Sequence, residues 1–162
     1  MALELLLGDA AQTERLGRTL AASLPQSAPF QNIFLDGELG AGKTTLVRAL
    51  VESLPGGDEA EVGSPSFNLF NIYPTTPECV HVDLYRFEGR APDDSLLELM
   101  ESGRRLILVE WINRLPLEFW PDSYLLLRLI RQDQGRMAEI KAYGPEAEIY
   151  RLSLESELKK FL

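Results

Sequence analysis

The chain has 162 residues, 45% hydrophobic and 25% charged, the size and composition of a single globular domain spanning 1–162. Its 25 acidic residues outnumber 16 basic ones for a net charge of −9, and no basic run interrupts them. That balance argues against direct nucleic-acid binding, no apolar run approaches the roughly 18 residues of a membrane helix, and Glu4 and Asp9 interrupt the start where a signal peptide would be apolar. A cytoplasmic protein acting through protein partners is the expectation.

In chain order, "LELLL" (3–7) predicts a short first strand. "GDAAQTERLGRTLAASLP" predicts a helix. Asp9 with Gln12 is a capping-box pattern, Leu16, Leu20 and Leu24 share a face, and Pro25 stops it. "NIFLD" (32–36) is a buried strand, and "KTTLVRALVESLPGG" is a second helix ended by Pro55 and the glycines after it. "GDEAEVGSPS" (57–66) is polar and glycine-containing, hence a loop. "FNLFNIY" and "CVHVDLY", separated by "PTTPE", predict an antiparallel hairpin. "APDDSLLELMESG" predicts a short helix from near Pro92 to Gly103, and "RLILVEW" (105–111) a central strand. "SYLLLRLIRQDQGRMAEIKAYG" is a second hairpin turning at "QDQG". "EIYRLSLESELKKFL" predicts a last helix, with Ile149, Leu152, Leu158 and Phe161 as its apolar support.

The order is β-α-β-loop-α-β-β-α-β-β-β-α. Its first half alternates as parallel α/β folds do, and the hairpins add antiparallel strands. The fold class expected is α/β, a three-layer domain with a mixed parallel and antiparallel sheet flanked by helices.

Gly37, Gly42, Lys43 and Thr44 satisfy G-x-x-x-x-G-K-[ST], the P-loop, between a strand and a helix as the motif requires. The glycines let the backbone approach a ligand, successive N–H groups make a nest for phosphate oxygens, and the helix N-terminus adds its dipole. Lys43 would reach the β- and γ-phosphates and Thr44 would ligate Mg²⁺. The candidate ATP-binding stretch is thus Gly37, Leu39, Gly40, Ala41, Gly42, Lys43, Thr44 and Thr45. Such a site needs a carboxylate at the end of a neighbouring strand. Glu110, after "LILV", is the first candidate, and Asp83 in "HVDLYR" the second. His81, the only histidine, reads by itself as a satisfied structural residue, and Trp111 as core, interface or a shield for the metal site. Cys79, the only cysteine, reads as a buried strand residue.

"GELGAGKTT", "VGSPSF", "HVDLYR" and "LVEW", in this order, resemble the bacterial TsaE (YjeE) family, small P-loop ATPases of threonylcarbamoyladenosine synthesis on tRNA. The resemblance spans about residues 9–140. It implies that Gly40 to Thr45 wrap the phosphates of ATP, that Thr44 and Glu110 hold Mg²⁺, and that Asp83 sits by the γ-phosphate, as ligand of a metal-bound water or as a water-positioning base. Asp83 and Glu110 are then the catalytic candidates. It further implies a switch-like loop of Ser64, Pro65, Ser66 and Phe67, a nucleotide contact from Arg136 in "DQGRMAEI", and an adenine contact from Thr13 in "QTERLG". Glu38 stands where the family usually has Asp, and Ser66 where it usually has Thr. The implied partners are TsaB–TsaD-like proteins, with hydrolysis slow in isolation.

Three other readings compete. A small-molecule kinase would need an arginine-rich lid, and the late region offers only Arg128, Arg131 and Arg136. A GTPase would need N-K-x-D and D-x-x-G motifs, and the chain has neither. A nucleotide-gated scaffold without meaningful turnover uses the same phosphate and metal ligands, so residue types alone leave it open.

Overall fold

The computed structural model describes residues 1–25, 32–63, 65, 69–87, 91–101 and 103–160. Among them the elements are β1 (Leu3–Leu7), α1 (Ala10–Ala22), β2 (Asn32–Asp36), α2 (Lys43–Glu52), β3 (Phe70–Tyr73), β4 (Cys79–Asp83), α3 (Asp94–Glu101), β5 (Leu106–Glu110), β6 (Tyr124–Arg131), β7 (Arg136–Tyr143) and α4 (Pro145–Lys159). The strands form one sheet in the order β1-β7-β6-β2-β5-β4-β3. Strands β6, β2, β5 and β4 run parallel to one another, while β3 pairs antiparallel with β4, β7 with β6 and β1 with β7. This is the mixed α/β sheet expected. No helix among the described residues is long and apolar enough to cross a membrane.

The local chemistry explains the elements. The Asp9 side chain accepts a bond from the Gln12 N–H at 2.9 Å, and Gln12 Oε1 accepts one from the Gly8 N–H at 2.8 Å, so α1 starts on a reciprocal cap. "NIFL" and "LILV" are buried throughout, as central strands with both faces covered must be. Leu16 and Leu20 of α1, Leu46 and Leu50 of α2, and Tyr150 and Leu154 of α4 form one core with Ile33, Leu35 and Leu108 of the sheet. Leu96 and Met100 of α3 form a second core on the opposite face with Val80, Val82, Ile107 and Val109. Three helices therefore lie on one face and α3 on the other.

Two expectations need correction. The opening β-α-β alternation does not make a parallel pair: β1 lies at the far edge, antiparallel to β7, with β7 and β6 between it and β2. Its single buried-facing row of Leu3, Leu5 and Leu7 suits an edge strand. In α4 the helix is as expected but its inward face is not. Ile149 and Leu152 are exposed, and Ala147, Tyr150, Arg151 and Leu154 are buried. Polar atoms are satisfied there instead of avoided. The Tyr150 hydroxyl donates to the Leu20 carbonyl at 2.7 Å, and Arg151 pairs with Glu148 and Glu155. Phe161 lies outside the described residues.

The register sets the position of the acidic residues. Asp83 pairs with Glu110, and Glu110 with Leu35, one residue before β2 ends. Because side chains alternate along strands, His81, Asp83, Leu108 and Glu110 all project to the face that carries α2.

Candidate functional site

Strand β2 ends at Asp36, and α2 begins at Lys43, with Gly42 as its N-cap. The turn between them is closed by the Ala41 N–H donating to the Glu38 carbonyl at 3.0 Å. Gly42 has φ of 108°, and a Cβ there would stand 2.0 Å from Arg136 Nη1. Only glycine combines that backbone with that contact. Arg136 Nη1 itself donates to the Ala41 carbonyl at 2.8 Å, so the β7 arginine expected near the nucleotide lies on the loop. Thr13 is buried, its hydroxyl bonded to the Asp9 carbonyl, and its Cγ2 would be 3.6 Å from a Gly42 Cβ. The first turn of α1 and the start of β7 thus meet at Gly42. Thr44 and Thr45 are half-buried in the first turn of α2, and Leu39 is exposed on the loop.

Lys43 is 7% exposed. Its Nζ donates to the Gly37 carbonyl and, at 3.2 Å, to the Glu38 carbonyl, and it lies 5.3 Å from the centroid of the Trp111 ring. Among the described residues no carboxylate pairs with it. A nearly buried ammonium held by neutral oxygens and an indole face leaves its charge for an anion to meet. The loop and its lysine fit the phosphates of ATP.

Glu110 is 3% exposed, and His81 Nε2 donates to its Oε2 at 3.0 Å. His81 thus positions the candidate metal ligand through Nε2, but it is not the fully satisfied structural residue expected, since its buried Nδ1 has no hydrogen-bond partner among the described residues. A carboxylate oriented through one oxygen by a histidine has its other oxygen for a hard cation, so Glu110 together with the Thr44 hydroxyl fits Mg²⁺ by donor type. Asp83 is half-buried, and its Oδ1 accepts the Tyr85 N–H at 2.9 Å, which fixes the carboxylate at the strand end. Trp111, directly after Glu110, has φ of 61°, rare for a large side chain. That turn sets its ring by Lys43 and 5.0 Å from the Tyr85 ring, with Arg114 Cζ 5.9 Å away. Pro65 is buried, while Ser64, Ser66 and Phe67 lie outside the described residues. Cys79 is buried, and burial pushes its thiol up to about 12.

The fold brings together residues 37–45, Thr13, Arg136, Asp83 and Glu110 from α1, β2, α2, β4, β5 and β7. Sequence reasoning missed two roles. The spacing of two between His81 and Asp83 already put both on one strand face, which was the available signal for the histidine. Arg131, which the sequence offers only as one of three late arginines too few for a kinase lid, donates through Nη2 to the Gly40 carbonyl at 3.1 Å. Arg128, the third arginine of that region, is paired with Asp36 and Glu139.

A family model described as threonylcarbamoyl adenosine biosynthesis protein TsaE matches residues 7–138. Proteins named tRNA threonylcarbamoyladenosine biosynthesis protein TsaE are similar to this chain. One from Nostoc sp. is 34% identical, covering 87% of this chain and 86% of its own. One from Bacillus subtilis is 34% identical over 85% and 84%, and one from Streptomyces coelicolor 42% identical over 59% and 64%. The crystal structure of Bacillus subtilis YdiB superposes with a TM-score of 0.74 at 23% identity, covering 96% of this chain and 95% of that one, and so has the same fold.

Proposed function

The chain belongs to the TsaE family of threonylcarbamoyladenosine biosynthesis proteins, and on that premise we propose that it acts there as a Mg²⁺-dependent ATPase. The observation that carries the reading is the convergence of the glycine loop, Lys43, Glu110 and Asp83 at the carboxyl ends of three adjacent parallel strands. Open α/β sheets bind ligands at that edge.

Each residue has a task in this reading. The amides of residues 39, 40 and 42–45 and the α2 N-terminus take phosphate oxygens, while the Ala41 N–H keeps the loop closed on the Glu38 carbonyl. Lys43 exchanges its carbonyl partners for the β- and γ-phosphates, while Trp111 keeps its ammonium desolvated. Thr44 and Glu110 hold Mg²⁺, and His81 fixes the Glu110 carboxylate. When bound, the ion neutralises charge on the phosphates. Asp83 orients a water toward the γ-phosphate and takes up its proton, directly or through a second water. Arg136 and Thr13 flank the loop at Gly42.

The partners in this reading are TsaB–TsaD-like proteins, and hydrolysis resets or licenses their complex. A net charge of −9 favours docking on proteins over docking on tRNA. Calorimetric titration with Mg²⁺–ATP tests the first step. Saturable binding that is lost in Lys43→Ala is expected. A wild-type chain that takes up no ATP would contradict the reading.

A further inference from the structure

Arg131 is the last residue of β6 and pairs across the hairpin with Arg136, the first residue of β7. Both project to the face that carries α2, the face of Leu129 and Ala138. Their guanidiniums end on consecutive carbonyls of the glycine loop. Arg131 Nη2 lies 3.1 Å from the Gly40 oxygen and 3.5 Å from the Leu39 oxygen, and Arg136 Nη1 lies 2.8 Å from the Ala41 oxygen. Gly40 has φ of 77°, which favours glycine, and a Cβ there would stand 2.6 Å from Arg131 Nη2, so a side chain at this position would displace the guanidinium from the loop. Arg131 is exposed and, among the described residues, makes no ion pair with a carboxylate.

We propose that Arg131 is a positioning residue for the phosphate loop, acting with Arg136 as a clamp on its outward carbonyls. The inference rests on the reading of residues 37–45 as a phosphate site. The physical reason is the planarity of the peptide. In a trans peptide the N–H points away from the carbonyl it is joined to. Holding the oxygens of Leu39, Gly40 and Ala41 therefore sets the directions of the N–H groups of Gly40, Ala41 and Gly42. A cation on each oxygen also favours the dipole orientation that presents N–H to an anion. The clamp acts on the loop before any nucleotide arrives, and on the part of the loop that ATP and ADP share. It should therefore raise affinity for both alike and leave the chemical step untouched.

The test uses the full chain with Arg131→Ala and Arg131→Lys. Mg²⁺–ATP and Mg²⁺–ADP are titrated by calorimetry, and amide exchange at Ala41, whose N–H closes the loop, is followed without nucleotide. Arg131→Ala should weaken both nucleotides by about threefold to tenfold, raise KM and leave kcat unchanged. Arg131→Lys should recover part of the loss, since it keeps the charge with fewer donors. Ala41 should exchange faster in Arg131→Ala. Unchanged affinities for both nucleotides, or a fall in kcat with KM constant, would overturn the clamp. If the wild-type chain binds neither nucleotide, the ATPase reading fails and exchange alone decides. Faster exchange in Arg131→Ala then upholds the clamp, and identical exchange sinks it.

Discussion

His81 Nε2 donates to Glu110 Oε2 across 3.0 Å, and both side chains are nearly buried. The two strands that carry them are parallel neighbours, with Asp83 in register beside Glu110. The histidine thus orients the carboxylate proposed to hold Mg²⁺. Removing it by His81→Ala leaves that carboxylate buried without its donor, at an expected cost of about 1–3 kcal/mol in urea unfolding. The Mg²⁺ concentration for half-maximal phosphate release should rise with it. Glu110→Gln should keep most of the stability and lose the phosphate release. Equal stability of His81→Ala and wild type would show that the bond does not hold the site.

Trp111 spends a left-handed backbone to bring its indole to Lys43. A cation–π contact in a desolvated setting is worth about 0.5–2 kcal/mol, a factor of roughly 2 to 30 in binding. Trp111→Ala should raise the Kd for Mg²⁺–ATP within that range, and Trp111→Phe should recover part of it. Calorimetry decides, and an unchanged Kd in Trp111→Ala would remove the indole from the site.

Much of this site was legible in the sequence because its signals are local. Gly42 and Lys43 announce a loop between a strand and a helix, and "LILVE" puts a carboxylate where a buried strand emerges. The element order follows from the same strand, turn and cap patterns. What stayed hidden depends on pairing across long separations. β1 reads as the first member of a β-α-β unit, yet its place is fixed by β7, more than a hundred residues later. In α4 the apolar side chains Ile149 and Leu152 suggest the inward face, yet Tyr150 and Arg151 turn inward because Leu20, Glu148 and Glu155 satisfy their polar atoms. Arg131 and Arg136 act together only because the hairpin sets them side by side against a loop some ninety residues away.

Gly42→Ala is the sharpest backbone test. The new Cβ would meet Arg136 Nη1 at 2.0 Å, and φ of 108° is strained for alanine. Relief requires the arginine to leave the Ala41 carbonyl and the loop to turn. Nucleotide binding should fall by at least about tenfold, while circular dichroism shows the helices intact. Wild-type affinity in the variant would mean that the loop geometry is not what binds phosphate.

Cys79 gives a pH dependence with a definite sign. Burial raises its thiol from 9.0 to about 12. Between those values the unfolded chain has lost the proton and the folded chain keeps it, so folding stability falls as pH rises. The contribution is complete below about pH 9 and is lost progressively toward pH 12. Native protein should resist thiol-specific alkylation at pH 8, and Cys79→Ala should lose less stability than wild type between pH 9 and pH 11, followed by urea midpoints. Rapid labelling of the folded chain would contradict the burial.

The most direct measurement is phosphate release from Mg²⁺–ATP by this chain alone, then with TsaB- and TsaD-like proteins, with Glu110→Ala beside it. The account predicts slow release alone, faster release with the partners, and none in the variant. Tight ATP binding with no release in any mixture would contradict the ATPase and leave a nucleotide-gated scaffold.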